Sequence, residues 1–148
     1  MNVVRVENVG KEYVLGKQRV QALRDITLTV AKGEFLAIAG PSGSGKSTLL
    51  NLIGCLDVPS SGRIFIEDED ISLKSGDELA DLRSSTIGFI FQTFNLLPVL
   101  SAAENVEYPL LNTKRVDKDE RRERVHRYLT LVGLEKFARH RPNELSGG

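Results

Sequence analysis

The sequence predicts an α/β fold with an additional β-rich portion at its N-terminus. Three observations support this prediction. Segments with the periods of strands and helices alternate along the chain, a five-residue apolar run precedes a glycine-rich loop, and a helical pattern follows that loop. The 148 residues suffice for one domain of ordinary size, and 41% hydrophobic with 27% charged residues is a normal globular composition.

The N-terminal portion is rich in residues that favour strands. Four valines between positions 3 and 9 predict an opening strand. Ile26 to Val30 alternates apolar residues with threonine, which is the period of a half-buried strand. Phe35 to Ala39 is apolar throughout, as is typical of a strand buried on both faces of a parallel sheet.

The middle of the chain continues the alternation. Lys46 to Leu56 predicts a largely buried helix, because its leucines and isoleucines recur with helical spacing on a wide face. Arg63 to Ile66 predicts a short strand, Asp77 to Arg83 a short helix, and Ile87 to Phe91 another apolar strand.

Two capping patterns mark helix starts in the last third of the chain. Ser101 to Glu104 matches a capping box, and Asp117 to Glu120 resembles one with aspartate as the cap. In the helix that follows Asp117, we expect Val125, Leu129 and Val132 to share one face.

Charge and composition exclude several classes of protein. Twenty Lys+Arg against twenty Asp+Glu give zero formal charge, so no overall basic field attracts nucleic acid, and we expect no nucleic-acid partner. The single cysteine, Cys55, excludes an intrachain disulfide framework, and we expect it to be a small buried packing residue. No apolar stretch approaches the roughly 18 residues of a membrane span, and Met1 to Arg5 lacks the pattern of a signal peptide. We therefore expect a soluble protein of a reducing compartment.

The glycine-rich loop matches a phosphate-binding motif in full. It reads G-P-S-G-S-G-K-S from Gly40 to Ser47, the pattern G-x-x-x-x-G-K-[ST] between a strand and a helix. Glycines let successive backbone N–H groups point at phosphate oxygens, and the helix N-terminus adds its dipole. We expect the phosphates to be bound by the residues of the loop and the first helical turn, namely Gly40, Ser42, Gly43, Ser44, Gly45, Lys46, Ser47 and Thr48.

Three side chains at the end of this motif have individual roles. Lys46 would neutralise the β- and γ-phosphates, which makes it a catalytic as well as a binding residue. The Ser47 hydroxyl would ligate Mg²⁺, and Thr48 can add a hydroxyl toward the α- or β-phosphate. The motif therefore predicts that the chain binds a nucleotide with Mg²⁺.

A phosphate loop alone fits kinases, GTPases and motor proteins equally well, and other residues narrow the choice. Leu145 to Gly148, L-S-G-G, resembles the signature motif of ABC transporter ATPases. Tyr13 lies where those proteins carry an aromatic residue that stacks on adenine, and Gln92 lies at the position of their Q-loop glutamine. The stretches Gly40 to Gly62 and Gly88 to Leu111 resemble the macrolide-export and lipoprotein-releasing ATPases in particular.

This resemblance implies a phosphate-loop ATPase fold of the ABC type, with an N-terminal antiparallel β portion and a helical subdomain. It divides the chain into a β-rich and phosphate-loop core at about residues 1–90 and a Q-loop and helical part at about residues 91–148. In such proteins the strands that complete the core follow the signature motif. We therefore expect residues 1–148 to be the N-terminal part of a nucleotide-binding domain whose C-terminal core strands are missing.

The resemblance also implies a site and a set of partners. ATP and Mg²⁺ would lie between two nucleotide-binding domains in a head-to-tail dimer, where Ser146, Gly147 and Gly148 of one contact the γ-phosphate bound by the other. Gln92 would help hold Mg²⁺ and the attacking water, which makes it a metal ligand and a catalytic residue. A transmembrane permease subunit or domain would use the ATPase cycle for export or lipoprotein release. The protein would then lie peripherally at the cytoplasmic face of the inner membrane.

The apolar residues Phe94, Leu96 and Leu97 follow the predicted Q-loop glutamine. Each of them taken alone fits a core-facing position equally well, but as a group we expect them to lie on the surface, as a docking patch for the membrane subunit. Glu67 and Asp68 follow a short apolar run, but we expect them to form a solvated acidic turn and not the acidic catalytic motif of the family.

The family's catalytic Asp and Glu and its switch histidine come after the signature motif. Two interpretations therefore stay open, an ATPase subunit by family and a nucleotide-binding module without turnover. A phosphate-loop kinase is a third interpretation, but it leaves the Leu145 to Gly148 motif unexplained.

Overall fold

The computed structural model describes residues 1–111 and 116–146. The chain forms two compact units, Met1–Phe89 and Ile90–Gly148. The four strands of the described residues all lie in the first unit. None of the helices in the two described ranges has the length and apolar character needed to cross a membrane.

The first unit is built on a four-stranded antiparallel sheet in the order β2-β1-β3-β4. Strands β1 (Asn2–Leu15) and β2 (Gln18–Ala31) form a long hairpin, and β3 (Ser61–Ile66) pairs with the other edge of β1. The short strand β4 (Glu69–Asp70) completes the order. The antiparallel β portion predicted from the sequence is confirmed.

A two-residue turn joins β3 to β4. Glu67 and Asp68 form it with φ values of 47° and 68°, the left-handed conformation that a type I′ hairpin turn requires at both central positions. Both side chains are exposed. The solvated acidic turn predicted here is therefore confirmed.

Helix α1 (Lys46–Ile53) packs against the sheet with one face only. Leu49 and Leu52 are buried, whereas Leu50 is 55% exposed, so the prediction of a largely buried helix holds for one face and is wrong for the other. The helix also ends three residues before the predicted end at Leu56, because its C-cap is Gly54 and the next residue, Cys55, has φ of +56°.

The core of the first unit lies between this helix, the sheet and α2 (Gly76–Thr86). Its buried residues are Val6, Val9, Leu23, Leu49, Leu52, Cys55, Ile64, Ile66, Ile71 and Leu79. Cys55 is fully buried, as predicted for a packing residue, and Arg83 of α2 donates a hydrogen bond to its backbone carbonyl oxygen.

The two apolar runs predicted as strands, Phe35 to Ala39 and Ile87 to Phe91, are not strands in this structure, and both predictions are wrong. A strand forms only when a neighbouring strand supplies its hydrogen-bonding partners. Within the described residues the sheet consists of β1 to β4, and neither run is one of its strands. The Phe35 side chain is accordingly 95% exposed.

The second unit contains α3 (Ala102–Leu111) and α4 (Lys118–Leu131), which pack on each other. Both predicted caps are confirmed. The Ser101 Oγ accepts from the Glu104 N–H at 3.3 Å, and the Glu104 carboxylate accepts from the Ser101 N–H at 2.7 Å. Asp117 accepts from two backbone N–H groups of the first turn of α4, each at 2.9 Å.

Of the three residues predicted to share a face of α4, two lie in the helix. Val125 and Leu129 are buried, but Val132 is 67% exposed. Val132 is the C-cap residue and lies beyond the last helical residue, so it does not continue the buried face.

Candidate functional site

The glycine-rich loop leads directly into α1. Gly43 and Gly45 have φ values of 79° and 88°, a conformation that glycine adopts without strain. At Gly45 a side chain would also collide with β2, since a Cβ atom would lie 2.6 Å from the Ala22 carbonyl oxygen. The motif therefore requires glycine at this point for space as well as for conformation.

The N-terminus of α1 has no side-chain cap among the described residues. Its N-cap residue is Gly45, and the first turn contains no acidic residue in the described structure. The first N–H groups of a helix have no acceptor within the helix, and they carry the positive end of its dipole. This end of α1 therefore offers backbone donors to an anion.

The Lys46 side chain turns back into the loop. Its ammonium group donates to the carbonyl oxygens of Gly40 at 2.9 Å and Pro41 at 2.7 Å, and lies 3.4 Å from the Ser44 hydroxyl. A positive charge is thus fixed beside the backbone donors of α1. All the predicted phosphate-loop residues lie in this loop and the first turn of α1. They are Gly40, Ser42, Gly43, Ser44, Gly45, Lys46, Ser47 and Thr48.

The donor set fits a nucleotide phosphate with Mg²⁺. Mg²⁺ keeps several waters and takes few protein ligands beside substrate phosphates, so one hydroxyl at the right place is enough. Ser47 is exposed in the first turn of α1 and can supply it. Among residues 1–111 and 116–146, no group of three or more His, Cys, Asp or Glu residues could hold a metal ion by itself.

Tyr13, the predicted adenine-stacking residue, lies on β1 opposite Val20 of β2 and is half-buried. Its hydroxyl donates a hydrogen bond to Asp57 Oδ2 at 3.0 Å. The other carboxylate oxygen, Oδ1, lies 2.6 Å from the ammonium group of Lys11. That ammonium is 5.0 Å from the centre of the Tyr13 ring, within reach of a cation–π contact.

Asp57 is ionised more readily than an ordinary aspartate. Burial on its own would raise the pKa of this carboxyl, but hydrogen bonds from Lys11, the Val58 N–H and Tyr13 outweigh it and lower the pKa. Lys11 is 8% exposed and also donates to the Val58 carbonyl oxygen at 2.7 Å. The three side chains of Lys11, Tyr13 and Asp57 form what we call the Asp57 cluster.

Sequence reasoning missed Lys11 and Asp57. Lys11 and Asp57 are 46 positions apart, and neither belongs to a local motif. One signal was present in the sequence, namely the position of Asp57 just after the predicted phosphate-loop helix. Without tertiary contacts, that position does not connect Asp57 to Tyr13.

Gln92 and Ser146 lie in the second unit. Gln92 is exposed and outside regular secondary structure. Ser146 lies at the end of the described chain, and Gly147 and Gly148 of the predicted signature motif lie outside the described residues.

An open cavity of about 650 Å³ lies beside Ser146 in the second unit. The segment after Gln92 forms one wall of it, and the predicted surface position of Phe94, Leu96 and Leu97 is confirmed, with Phe94 74% exposed. The cavity is lined by Thr93, Phe94, Asn95, Leu96, Leu134, Phe137, Pro142, Glu144, Leu145 and Ser146.

Comparison with known proteins identifies the family. The family model described as "ABC transporter" matches residues 23–148. YvrO, an uncharacterized ABC transporter ATP-binding protein of Bacillus subtilis, is 51% identical over 99% of this chain and 63% of its own length. The macrolide export ATP-binding/permease protein MacB of Brucella abortus is 46% identical over 99% of this chain and 22% of its own length.

A solved structure agrees with the sequence relatives. It is a dimeric post-hydrolysis state of the ATP-binding cassette MJ0796 bound to ADP and Pi, and it matches with a TM-score of 0.89 at 47% identity. The match covers 97% of this chain and 63% of that chain. The MJ0796 protein of Methanocaldococcus jannaschii is also 46% identical in sequence over 99% of this chain and 63% of its own length.

This chain thus spans less than two thirds of the length of these relatives. The family model nevertheless covers the phosphate loop, the Gln92 segment and the L-S-G-G motif in a single match. The backbone also follows that of a solved cassette over nearly its full described length. The chain therefore belongs to the ABC transporter family.

Proposed function

We propose that this chain is part of an ATP-binding subunit that couples ATP binding and hydrolysis to export or lipoprotein release by a membrane partner. The observation that carries the proposal is the Lys46 ammonium, held inside a glycine loop at the uncapped N-terminus of α1. Backbone donors and a fixed cation at one point are the requirements of a polyphosphate site.

In this proposal the phosphates of ATP bind to the loop and the first turn of α1. Lys46 neutralises the β- and γ-phosphates, and the hydroxyls of Ser47 and Thr48 lie at the same helix start. Ser47 would hold Mg²⁺, which when bound neutralises charge on the phosphate oxygens. Tyr13 would stack on adenine with its half-buried ring.

The remaining predicted site residues belong to the second unit. Gln92 would hold Mg²⁺ and the attacking water, and Ser146 with Gly147 and Gly148 would contact the γ-phosphate bound by a second nucleotide-binding domain. A dimer of nucleotide-binding domains is supported by the MJ0796 cassette, whose matching structure is dimeric.

The proposed membrane partner is a permease subunit or domain. The name of the MacB relatives, an ATP-binding/permease protein, supports this partner, and it supports export as the process. The exposed apolar side chains of Phe94, Leu96 and Leu97 would receive that partner. The protein would then lie at the cytoplasmic face of the inner membrane.

Binding measurements with the 148-residue chain test the phosphate site. Calorimetric titration with ATP and with inorganic triphosphate is expected to show that Lys46→Ala weakens both by about tenfold or more, since a charge-assisted contact is lost. Lys17→Ala is the matched control, because Lys17 is an exposed lysine in the turn between β1 and β2. Unchanged triphosphate affinity in Lys46→Ala would contradict the proposal.

Measuring phosphate release by the same chain distinguishes two interpretations, an ATPase and a nucleotide-binding module without turnover. Turnover that Lys46→Ala abolishes supports an ATPase. Binding without release, at saturating ATP and Mg²⁺, supports a nucleotide-binding module that needs further residues for hydrolysis.

A further inference from the structure

The Asp57 cluster connects Tyr13 to the segment that follows α1. Tyr13 is on β1, whereas Asp57 lies four residues after the end of α1, the helix that begins at Lys46. A hydrogen bond of 3.0 Å between the Tyr13 hydroxyl and Asp57 Oδ2 joins the two elements.

Both oxygens of the Asp57 carboxylate are held in place. Oδ1 accepts from the Lys11 ammonium at 2.6 Å and from the Val58 N–H at 2.8 Å, which leaves Oδ2 for the Tyr13 hydroxyl. A hydrogen bond to an ionised acceptor is stronger than a neutral one. The far end of the Tyr13 ring is therefore attached to an acceptor that is itself fixed.

The backbone does not need this contact in order to join β1 to the segment after α1. The Ser60 N–H donates to the Gly10 carbonyl oxygen at 2.9 Å, and the Glu12 N–H donates to Ser60 Oγ at 3.0 Å. These bonds fasten the segment to β1 on both sides of Lys11. The Asp57 carboxylate therefore acts on the Tyr13 side chain more than on the path of the chain.

We propose that Asp57 is a positioning residue, which holds the ring of Tyr13 ready for adenine at a fixed place relative to the phosphate loop. The inference rests on the proposed function, because adenine stacking on Tyr13 is part of it. A tyrosine that already has one orientation loses less side-chain entropy when the base arrives, so the attachment increases affinity for the base without touching it.

The test compares ATP with inorganic triphosphate, which lacks the base. Tyr13→Phe removes only the hydroxyl and leaves the Lys11–Asp57 ion pair intact. We expect it to weaken ATP binding by about three- to tenfold, because the freed side chain must then be ordered when the base binds, and to leave triphosphate binding unchanged. A general loss of stability would weaken the binding of both ligands and leave the ratio of their affinities unchanged.

A double-mutant cycle assigns the effect to the pair. Asp57→Asn alone is expected to lower the ratio of ATP to triphosphate affinity, and to lower it no further in the Tyr13→Phe background. Glu12→Gln is the matched control, since Glu12 lies next to Tyr13 on β1 and its carboxylate forms an exposed ion pair with Arg19 at 3.2 Å. We expect this control to bind both ligands like the wild type.

The outcomes distinguish this inference from the proposed function. The positioning role of Asp57 would be overturned if Tyr13→Phe kept the wild-type ratio of ATP to triphosphate affinity while Tyr13→Ala lowered it. Adenine stacking on Tyr13 would then still stand. A wild-type ratio in Tyr13→Ala would overturn both roles of the ring. The phosphate site itself is judged separately, by the triphosphate affinity of Lys46→Ala.

Discussion

Asn105 of α3 forms a two-way hydrogen-bonded pair with the backbone of Leu97. Its amide oxygen accepts from the Leu97 N–H at 2.8 Å, and its amide nitrogen donates to the Leu97 carbonyl oxygen at 3.1 Å. The same nitrogen lies within 3.1 Å of the carbonyl oxygens of Leu100 and Ser101. One side chain thus fixes the segment that carries the exposed apolar residues Phe94 and Leu96.

Asn105→Ala is expected to release this segment. The carbonyl groups lose their donor, so the second unit should lose about 1–3 kcal/mol of stability, and the Leu97 N–H should exchange with solvent faster. Hydrogen exchange followed by NMR measures the change at Leu97. Tyr108→Ala, which removes a half-exposed side chain from the same helix, is the control, and equal exchange rates in both variants would argue against the role of Asn105.

The Asp57 cluster predicts a pH dependence of stability. Because the pKa of Asp57 is lowered from its ordinary value of 3.8, its ion pair with Lys11 stabilises the fold fully above that value and is lost as the pH falls through the lowered pKa. At neutral pH, Asp57→Asn should cost at most about 3 kcal/mol, the lower end of the range for a broken buried pair. Urea unfolding at pH 7, 5 and 3 should show this difference shrinking at the acidic end, and a difference that stays constant would contradict it.

Gly62 and Gly16 form a matched pair for testing backbone strain. Both have positive φ, 78° and 61°, but only at Gly62 would a Cβ atom collide with the backbone carbonyl oxygens of Glu7 and Asn8. We expect Gly16→Ala to cost about 1 kcal/mol for its left-handed conformation, and Gly62→Ala to cost at least about 3 kcal/mol because β1 and β3 must separate. Equal unfolding midpoints for the two variants would count against the close approach of these strands.

The acidic turn between β3 and β4 offers a stabilising change. Glu67 and Asp68 both have positive φ, where asparagine and glycine are preferred. The double change Glu67→Asn and Asp68→Gly should raise the free energy of unfolding by about 1 kcal/mol. Thermal denaturation measures it, with Glu69→Gly in β4 as a control that should lower the midpoint; a lower midpoint in the double variant would mean that the acidic side chains stabilise the turn.

Local signals predicted those parts of the fold that depend on neighbouring residues. The capping residues Ser101 and Asp117 and the strand Arg63 to Ile66 all follow from patterns a few residues long. The prediction for Phe35 to Ala39 is wrong because strand formation needs distant partners, and an apolar run says nothing about whether they pair with it.

The candidate site likewise contains a part that local sequence predicts and a part that depends on tertiary contacts. The phosphate loop is continuous in sequence, so the residue types and their order are enough to predict it. The attachment of Tyr13 to Asp57 depends on the register that brings β1 beside the segment after α1, and no pattern around either residue contains that register. The exposure of Val132 likewise depends on where α4 ends and not on its apolar character.

The ammonium group of Lys46 lies among the carbonyl oxygens of its own loop. The loop is therefore folded around an internal cation, and two of its carbonyl groups are held by a side chain of the same motif. The two hydrogen bonds lie within the first unit, so they form as that unit folds. In the phosphate site proposed above, donors that folding has already arranged would leave less ordering to be done when a phosphate binds.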